Sequence, residues 1–127
     1  MLKKNKYILV TGTSSGIGKQ TALDLLKKKF FVVGISRNKA SIKNPKYLHL
    51  SIDLSERNND EKVLKILKDK KIKLNGLVNN AGINLPNKFD KISLEDYNRV
   101  LKTNLEGPFF LIQKIIPIIN TGAAIVN

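Results

Sequence analysis

The sequence predicts an α/β fold, a doubly wound parallel sheet of about five strands with helices on both faces. Three observations carry this expectation. Short apolar runs alternate with amphipathic stretches along the whole chain. One run, Phe30 to Ile35, is nearly unbroken, as expected for a strand buried on both faces. The turn Thr11-Gly12-Thr13-Ser14-Ser15-Gly16-Ile17-Gly18 joins the first apolar run directly to a helix.

Lys6 to Val10 reads as the first strand. The helix after it runs from Gly16 to about Lys28, with Ile17, Ala22, Leu25 and Leu26 as its apolar stripe. Phe30 to Ile35 and Tyr47 to Ile52 are the second and third strands. Ser55 is the expected cap of the next helix, whose core face is Val63, Leu64, Ile66 and Leu67. Leu74 to Val78 is the fourth strand, and a loop containing Pro86 follows it. Ser93 with Asp96 marks a helix start, and that helix or helix pair continues through Leu105 and Phe110 towards Ile119. Ala123 to Val126 is the fifth strand. Short connections and right-handed crossovers set the spatial order 3-2-1-4-5. With no repeat or linker, residues 1–127 form a single domain. A strand so near the end, with nothing to cover its edge, makes the sheet incomplete and reads as the N-terminal piece of a longer design.

A 127-residue chain with 42% hydrophobic residues is large and apolar enough for a real core. The absence of cysteine excludes disulfides and thiolate chemistry. The basic N-terminus is followed by an apolar run too short for a signal peptide. Gln113, Lys114 and Pro117 interrupt the most apolar stretch, Phe109 to Ile119, which is too short to span a bilayer. A cytoplasmic protein with no membrane partner is expected. The formal charge of +13 raises nucleic-acid binding, but its distribution argues against it. Only Arg37, Arg57 and Arg99 are arginines, and lysines cluster at 27–29 and at 68, 70 and 71. Those clusters fall at helix C-termini, where the dipole favours cations and which lie opposite the ligand crevice of a parallel sheet. No aromatic residues interleave with them to stack bases.

In a Rossmann-type sheet of this order, ligands bind beyond the carboxyl ends of the strands where strand order reverses. The polar candidates all fall at such ends. In the glycine turn, Gly12 takes the tight turn, Gly16 lets a pyrophosphate approach, and Gly18 lets the helix pack closely. Free N–H groups at the helix start suit phosphate. A P-loop is excluded, because it would need glycine at Thr13 and Ser or Thr at Gln20. Ser36 and Arg37 stand where NAD-preferring domains usually carry an acidic residue. A hydroxyl and a guanidinium there suit a 2′-phosphate, which favours NADP over NAD. Asp53 offers an acceptor to an adenine amino group or caps the following helix, and Asn79 and Asn80 bind or brace a turn. His49, without partners at ligand spacing, reads as packed and no metal is expected.

Taken together, these motifs resemble the N-terminal half of a short-chain dehydrogenase/reductase. The matching residues are Thr-Gly-x-x-x-Gly-Ile-Gly at Thr11 to Gly18, Asp53-Leu54 and Asn-Asn-Ala-Gly at Asn79 to Gly82. Ile92 to Tyr97 and Asn104-Leu105-Glu106-Gly107 also match, so the resemblance spans essentially the whole chain. It implies that Gly12, Thr13, Ser14, Ser15, Gly16, Ile17, Gly18, Ser36, Arg37, Asp53, Leu54, Asn80, Ala81 and Gly82 hold NADP(H). It further implies that Asn104 supports a water in the proton relay, that the substrate is a small carbonyl or alcohol, and that the parent protein is a homo-oligomer. Thr103 stands where the family often has valine. The family's catalytic serine and Tyr-x-x-x-Lys follow the fifth strand and are not among these residues. Four positions after Tyr7, Tyr47 and Tyr97 stand Thr11, Ser51 and Leu101. The 127 residues by themselves are therefore expected to be inactive, and the alternative is a nucleotide-binding or interaction module without turnover.

Overall fold

The short apolar runs read as strands form strands, which satisfy their backbone by pairing with neighbours, whereas the most apolar stretch, Phe109 to Ile119, is largely helical. A computed structural model describes residues 5–127, so part of the basic N-terminus, Lys3 and Lys4, lies outside the described residues. The strands are β1 (Tyr7–Thr11), β2 (Phe31–Ser36), β3 (Tyr47–Ser51), β4 (Leu74–Val78) and β5 (Ile119–Val126). All pairings are parallel, in the expected order β3-β2-β1-β4-β5. The helices are α1 (Gly16–Lys27), α2 (Asn59–Asp69), α3 (Leu94–Leu101) and α4 (Gly107–Ile115), with a π-helical turn over Lys102–Glu106 joining the last two. On one face Leu9, Val33, Ile35 and Leu77 meet Val63 and Leu67 of α2 and Leu111 and Ile115 of α4. On the other, Ile8, Val10 and Val32 meet Ala22 and Leu26 of α1. Lys114 of α4 donates to Glu61 of α2 at 2.7 Å, and this bond raises the lysine's pKa.

Three local expectations are corrected. Ser55 does not cap α2, because its hydroxyl and its N–H both donate to Asp53 Oδ1, at 2.7 and 2.9 Å. This local acceptor folds the chain into a turn and delays the helix to Asn59, after Asn58 at φ 65°. Ile17 is 78% exposed and lies outside the stripe that Ala22 and Leu26 bury. The fifth strand begins at Ile119 rather than Ala123. Its register jumps from Leu74–Ile119 to Gly76–Ala124, so a bulge around Gly122 at φ 80° takes up the extra residues.

A polar chain crosses the α1 face of the sheet. Tyr47 OH lies 2.9 Å from Thr13 Oγ1 and 2.9 Å from His49 Nδ1. Burial raises the Tyr47 pKa, partly opposed by the Thr13 bond. Burial also lowers the His49 pKa, with the Asn38 backbone opposing and Lys39 reinforcing the shift. An unfolded chain, with its imidazole near 6.5, thus takes up this proton before the folded chain does. His49 accordingly costs stability as pH falls below that value.

Both α1 and α2 end in the same six-residue cap. Lys29 N–H donates to Leu26 O and Phe30 N–H to Leu25 O, while Lys71 N–H donates to Lys68 O and Ile72 N–H to Leu67 O. The position that normally takes glycine is lysine in both, at φ 69° for Lys29 and 55° for Lys71. A side chain there costs about 1 kcal/mol. Lys29→Gly and Lys71→Gly are each expected to raise stability by about 0.5–1 kcal/mol in urea unfolding, and a lowered midpoint would show that neither site is strained. A His49→Gln variant should lose part of the fall in stability between neutral and mildly acid pH; an unaltered pH profile would assign that fall to other groups.

Candidate functional site

At the point where the strand order reverses, β1 and β4 part and side chains take over from sheet hydrogen bonds. Thr11 Oγ1 accepts from the backbone N–H groups of Asn80 and Ala81, at 3.0 and 2.9 Å. Asn80 Nδ2 in turn donates to Thr11 O and Gly12 O, at 3.1 and 3.4 Å. Gly12 sits at φ +75°, and a Cβ on it would come within 2.7 Å of Asn80 Nδ2. A Cβ on Gly18 would collide with the Gly12 carbonyl, so α1 starts as close to β1 as backbone allows. The turn is therefore clamped between β4 and its own helix.

The start of α1 is left chemically open. Ser15, at its N-cap, makes no side-chain cap bond, and the first turn holds no acidic residue. The α2 and α3 starts differ, while α4 continues directly from the π-helical turn before it. In α3 the Ser93 hydroxyl accepts from Asp96 N–H, and Glu95 and Asp96 occupy the first turn. In α2, Asp60 and Glu61 occupy it. The α1 start keeps unpaired N–H donors and a positive dipole end beside a cleft, which suits an anion.

That cleft has a volume of about 240 Å³. Its walls bring together Gly12, Ser14, Ser15, Ser36, Arg37, Asp53, Leu54, Asn80, Ala81 and Gly82 from the ends of four strands. Asn104 lies just behind it. Thr13, Gly16, Ile17 and Gly18 do not line it: Thr13 is fully buried beneath the turn, and Gly18 is packed against Gly12. The Ser36 hydroxyl donates to Asn38 O at 2.7 Å, so it is already engaged, whereas Arg37 is exposed at the rim. Asp53 uses Oδ1 for the Ser55 turn, and its main-chain carbonyl accepts from Asn59 Nδ2 at 2.7 Å. Asn104 Oδ1 accepts from Ile83 N–H at 2.8 Å while its Nδ2 donates to Ile83 O at 2.9 Å. The π-helical turn carrying Asn104 is thereby tied to the loop after β4.

Sequence reasoning missed Thr11, Asn38, Ile83, Thr103 and Pro108 as cleft-lining residues. Thr11 had a signal, a hydroxyl at the end of a buried strand, where a β-branched residue faces its neighbour's backbone. A second groove of about 970 Å³ continues from the cleft past Arg37 and Asp53. All three arginines line it, with Lys102 and Lys114, yet Asp53, Glu56, Asp60, Glu61 and Glu106 balance them. Such a lining does not attract a polyanion. No helix among the described residues is long and apolar enough to cross a membrane.

Known proteins share this arrangement. The NADPH-dependent pterin aldehyde reductase of Arabidopsis thaliana is 30% identical over 122 residues, covering 89% of this chain and 50% of the relative. An NAD-dependent glycerol dehydrogenase of Listeria innocua is 32% identical over 117 residues, covering 87% of this chain and 46% of the relative. A crystal structure of a short chain dehydrogenase family protein from Francisella tularensis superposes with a TM-score of 0.88 at 28% identity, over 96% of this chain and 50% of that one. The chain thus spans about half the length of the curated relatives it matches. The family model for short chain dehydrogenases matches residues 6–127, and the chain belongs to that family.

Proposed function

We propose that this chain is the cofactor-binding part of an NADP(H)-dependent oxidoreductase that interconverts a small carbonyl compound and an alcohol. The observation that carries the reading is the α1 start, which has neither a capping side chain nor an acidic first turn and stands beside the cleft; α4 shares both features, but it continues the π-helical turn before it. The residues fit a dinucleotide. Gly12 and Gly18 let the turn pack against Asn80 and its own helix, Gly16 has nothing within 4 Å of where a Cβ would stand, and the α1 N–H groups face a pyrophosphate. Arg37, exposed and with no carboxylate within 4 Å among the described residues, holds the 2′-phosphate. Asp53 and Leu54 flank the adenine end, and Asn80, Ala81 and Gly82 face the ribose on the other side of the cleft. When bound, the nicotinamide supplies or accepts hydride. The Asn104 amide makes one bond at each end to the Ile83 backbone, which fixes the residue proposed to support a relay water.

The alternative reading, a nucleotide-binding module without turnover, has one observation in its favour. No tyrosine among the 127 residues has a lysine four positions on, and that pair is what moves the proton in resembling enzymes. For the family-length protein we propose a homo-oligomer. Leu94, Tyr97, Leu105, Phe109 and Ile116 along α3 and α4 are exposed, and such a ridge is normally covered. Sedimentation of that protein should give an oligomer that Phe109→Glu weakens; a monomer at all concentrations rejects the interface.

The 127-residue polypeptide is expected to bind NADPH and to show no reductase turnover. Turnover by protein freed of host reductases would contradict this. It should bind NADPH about ten- to a hundredfold more tightly than NADH, since a charge-assisted contact contributes about 1.5–3 kcal/mol. Arg37→Asp should abolish or reverse that ratio. If titrations with both cofactors give the same ratio before and after the change, Arg37 does not read the 2′-phosphate.

A further inference from the structure

Gly34 lies in the middle of β2, a central strand, where a glycine ordinarily weakens the sheet. The reason for it is visible in its neighbours. A Cβ at this position would collide with Tyr47 OH and come within 2.6 Å of Thr13 Oγ1. The glycine therefore makes room for a hydroxyl pair inside the sheet's α1 face. Thr13 belongs to the turn between β1 and α1 and is fully buried. Tyr47 begins β3, two strands away, and His49 sits opposite Gly34 in the β2–β3 register. Buried hydroxyls that bond each other hold both backbones in one arrangement, because breaking the bond leaves two unsatisfied groups.

We propose that Tyr47 is a positioning residue for dinucleotide binding, pinning the phosphate-binding turn through Thr13 while His49 orients its hydroxyl. This rests on the cofactor reading given above. The pin acts on the turn, which would hold the pyrophosphate that NADPH and NADH share. Its loss weakens both cofactors alike, unlike a change at Arg37. The bond from His49 Nδ1 to Tyr47 OH, 2.9 Å long, keeps the phenol aimed across Gly34. His49 Nε2, buried without a hydrogen-bond partner, leaves Nδ1 as the side of the ring that is bonded.

The test uses Tyr47→Phe, which keeps the ring and removes the hydroxyl, with His49→Leu and His49→Asn. Asn places an amide oxygen near where Nδ1 stood. Dissociation constants for NADPH and NADH are measured well below each variant's unfolding temperature, and amide exchange is followed over Ser14 to Gly18. Tyr47→Phe and His49→Leu should weaken both cofactors about tenfold with an unchanged NADPH-to-NADH ratio, and speed exchange in the turn. His49→Asn should restore affinity even if it lowers thermal stability, which a merely structural role would not allow. Unchanged dissociation constants and exchange in folded Tyr47→Phe would overturn the proposal and leave the cofactor reading standing. Failure of the unaltered protein to bind either cofactor would overturn the cofactor reading, while the exchange rates would still report whether Tyr47 pins the turn. Should Tyr47→Phe not fold, His49→Leu against His49→Asn gives the same comparison.

Discussion

Where β1 and β4 separate they no longer bond each other, and the backbone groups facing the gap must find other partners. Thr11 and Asn80 supply them, each bonding the other's backbone across the gap. The rest of the site depends on this clasp. It fixes Gly12, Gly12 fixes how closely α1 approaches, and that approach sets the start of α1 beside the cleft that Ser14 and Ser15 line. The suitability of the site for an anion is thus a property of backbone placement, with side chains serving mainly to hold the backbone still. A Cβ added at Gly12 or Gly18 would press on the same clasp from either side.

The sequence revealed the strands, their order and the location of the cleft because those follow from apolar periodicity and connection length, which are local quantities. Leu74 to Val78 shows the point: a short apolar run bounded by lysines and asparagines has one stable use, as a buried strand. Boundaries were less legible where polar side chains competed for the backbone. The Asp53–Ser55 turn delayed α2, and the bulge near Gly122 lengthened β5. What the sequence could not show were pairings between residues far apart. Thr13 and Tyr47 are separated by 34 positions, and nothing in either segment announces that Gly34 lies between them. Likewise the Ser36 hydroxyl, a free donor by sequence, is taken by the Asn38 carbonyl.

The large positive charge shapes the surface more than the site. Lysines stand at the ends of α1 and α2, where they complement the helix dipoles even though Lys29 and Lys71 occupy a left-handed position that glycine fills more easily. The arginines behave differently. All three line one groove with an equal number of basic and acidic side chains, and only Arg37 also reaches the cleft. A planar donor at that rim suits a phosphorylated ribose, while the relatives include both an NADPH-dependent reductase and an NAD-dependent dehydrogenase.

The central claim is that the open start of α1 receives the cofactor's phosphates. It is tested most directly by following backbone amide resonances of the isotope-labelled protein during titration with NADPH. The account predicts saturable shifts at Gly16, Ile17 and Gly18 together with Arg37 and Ala81, and little change along α3. Shifts confined to the groove beside α2 and α4, with the α1 start unmoved, would contradict it.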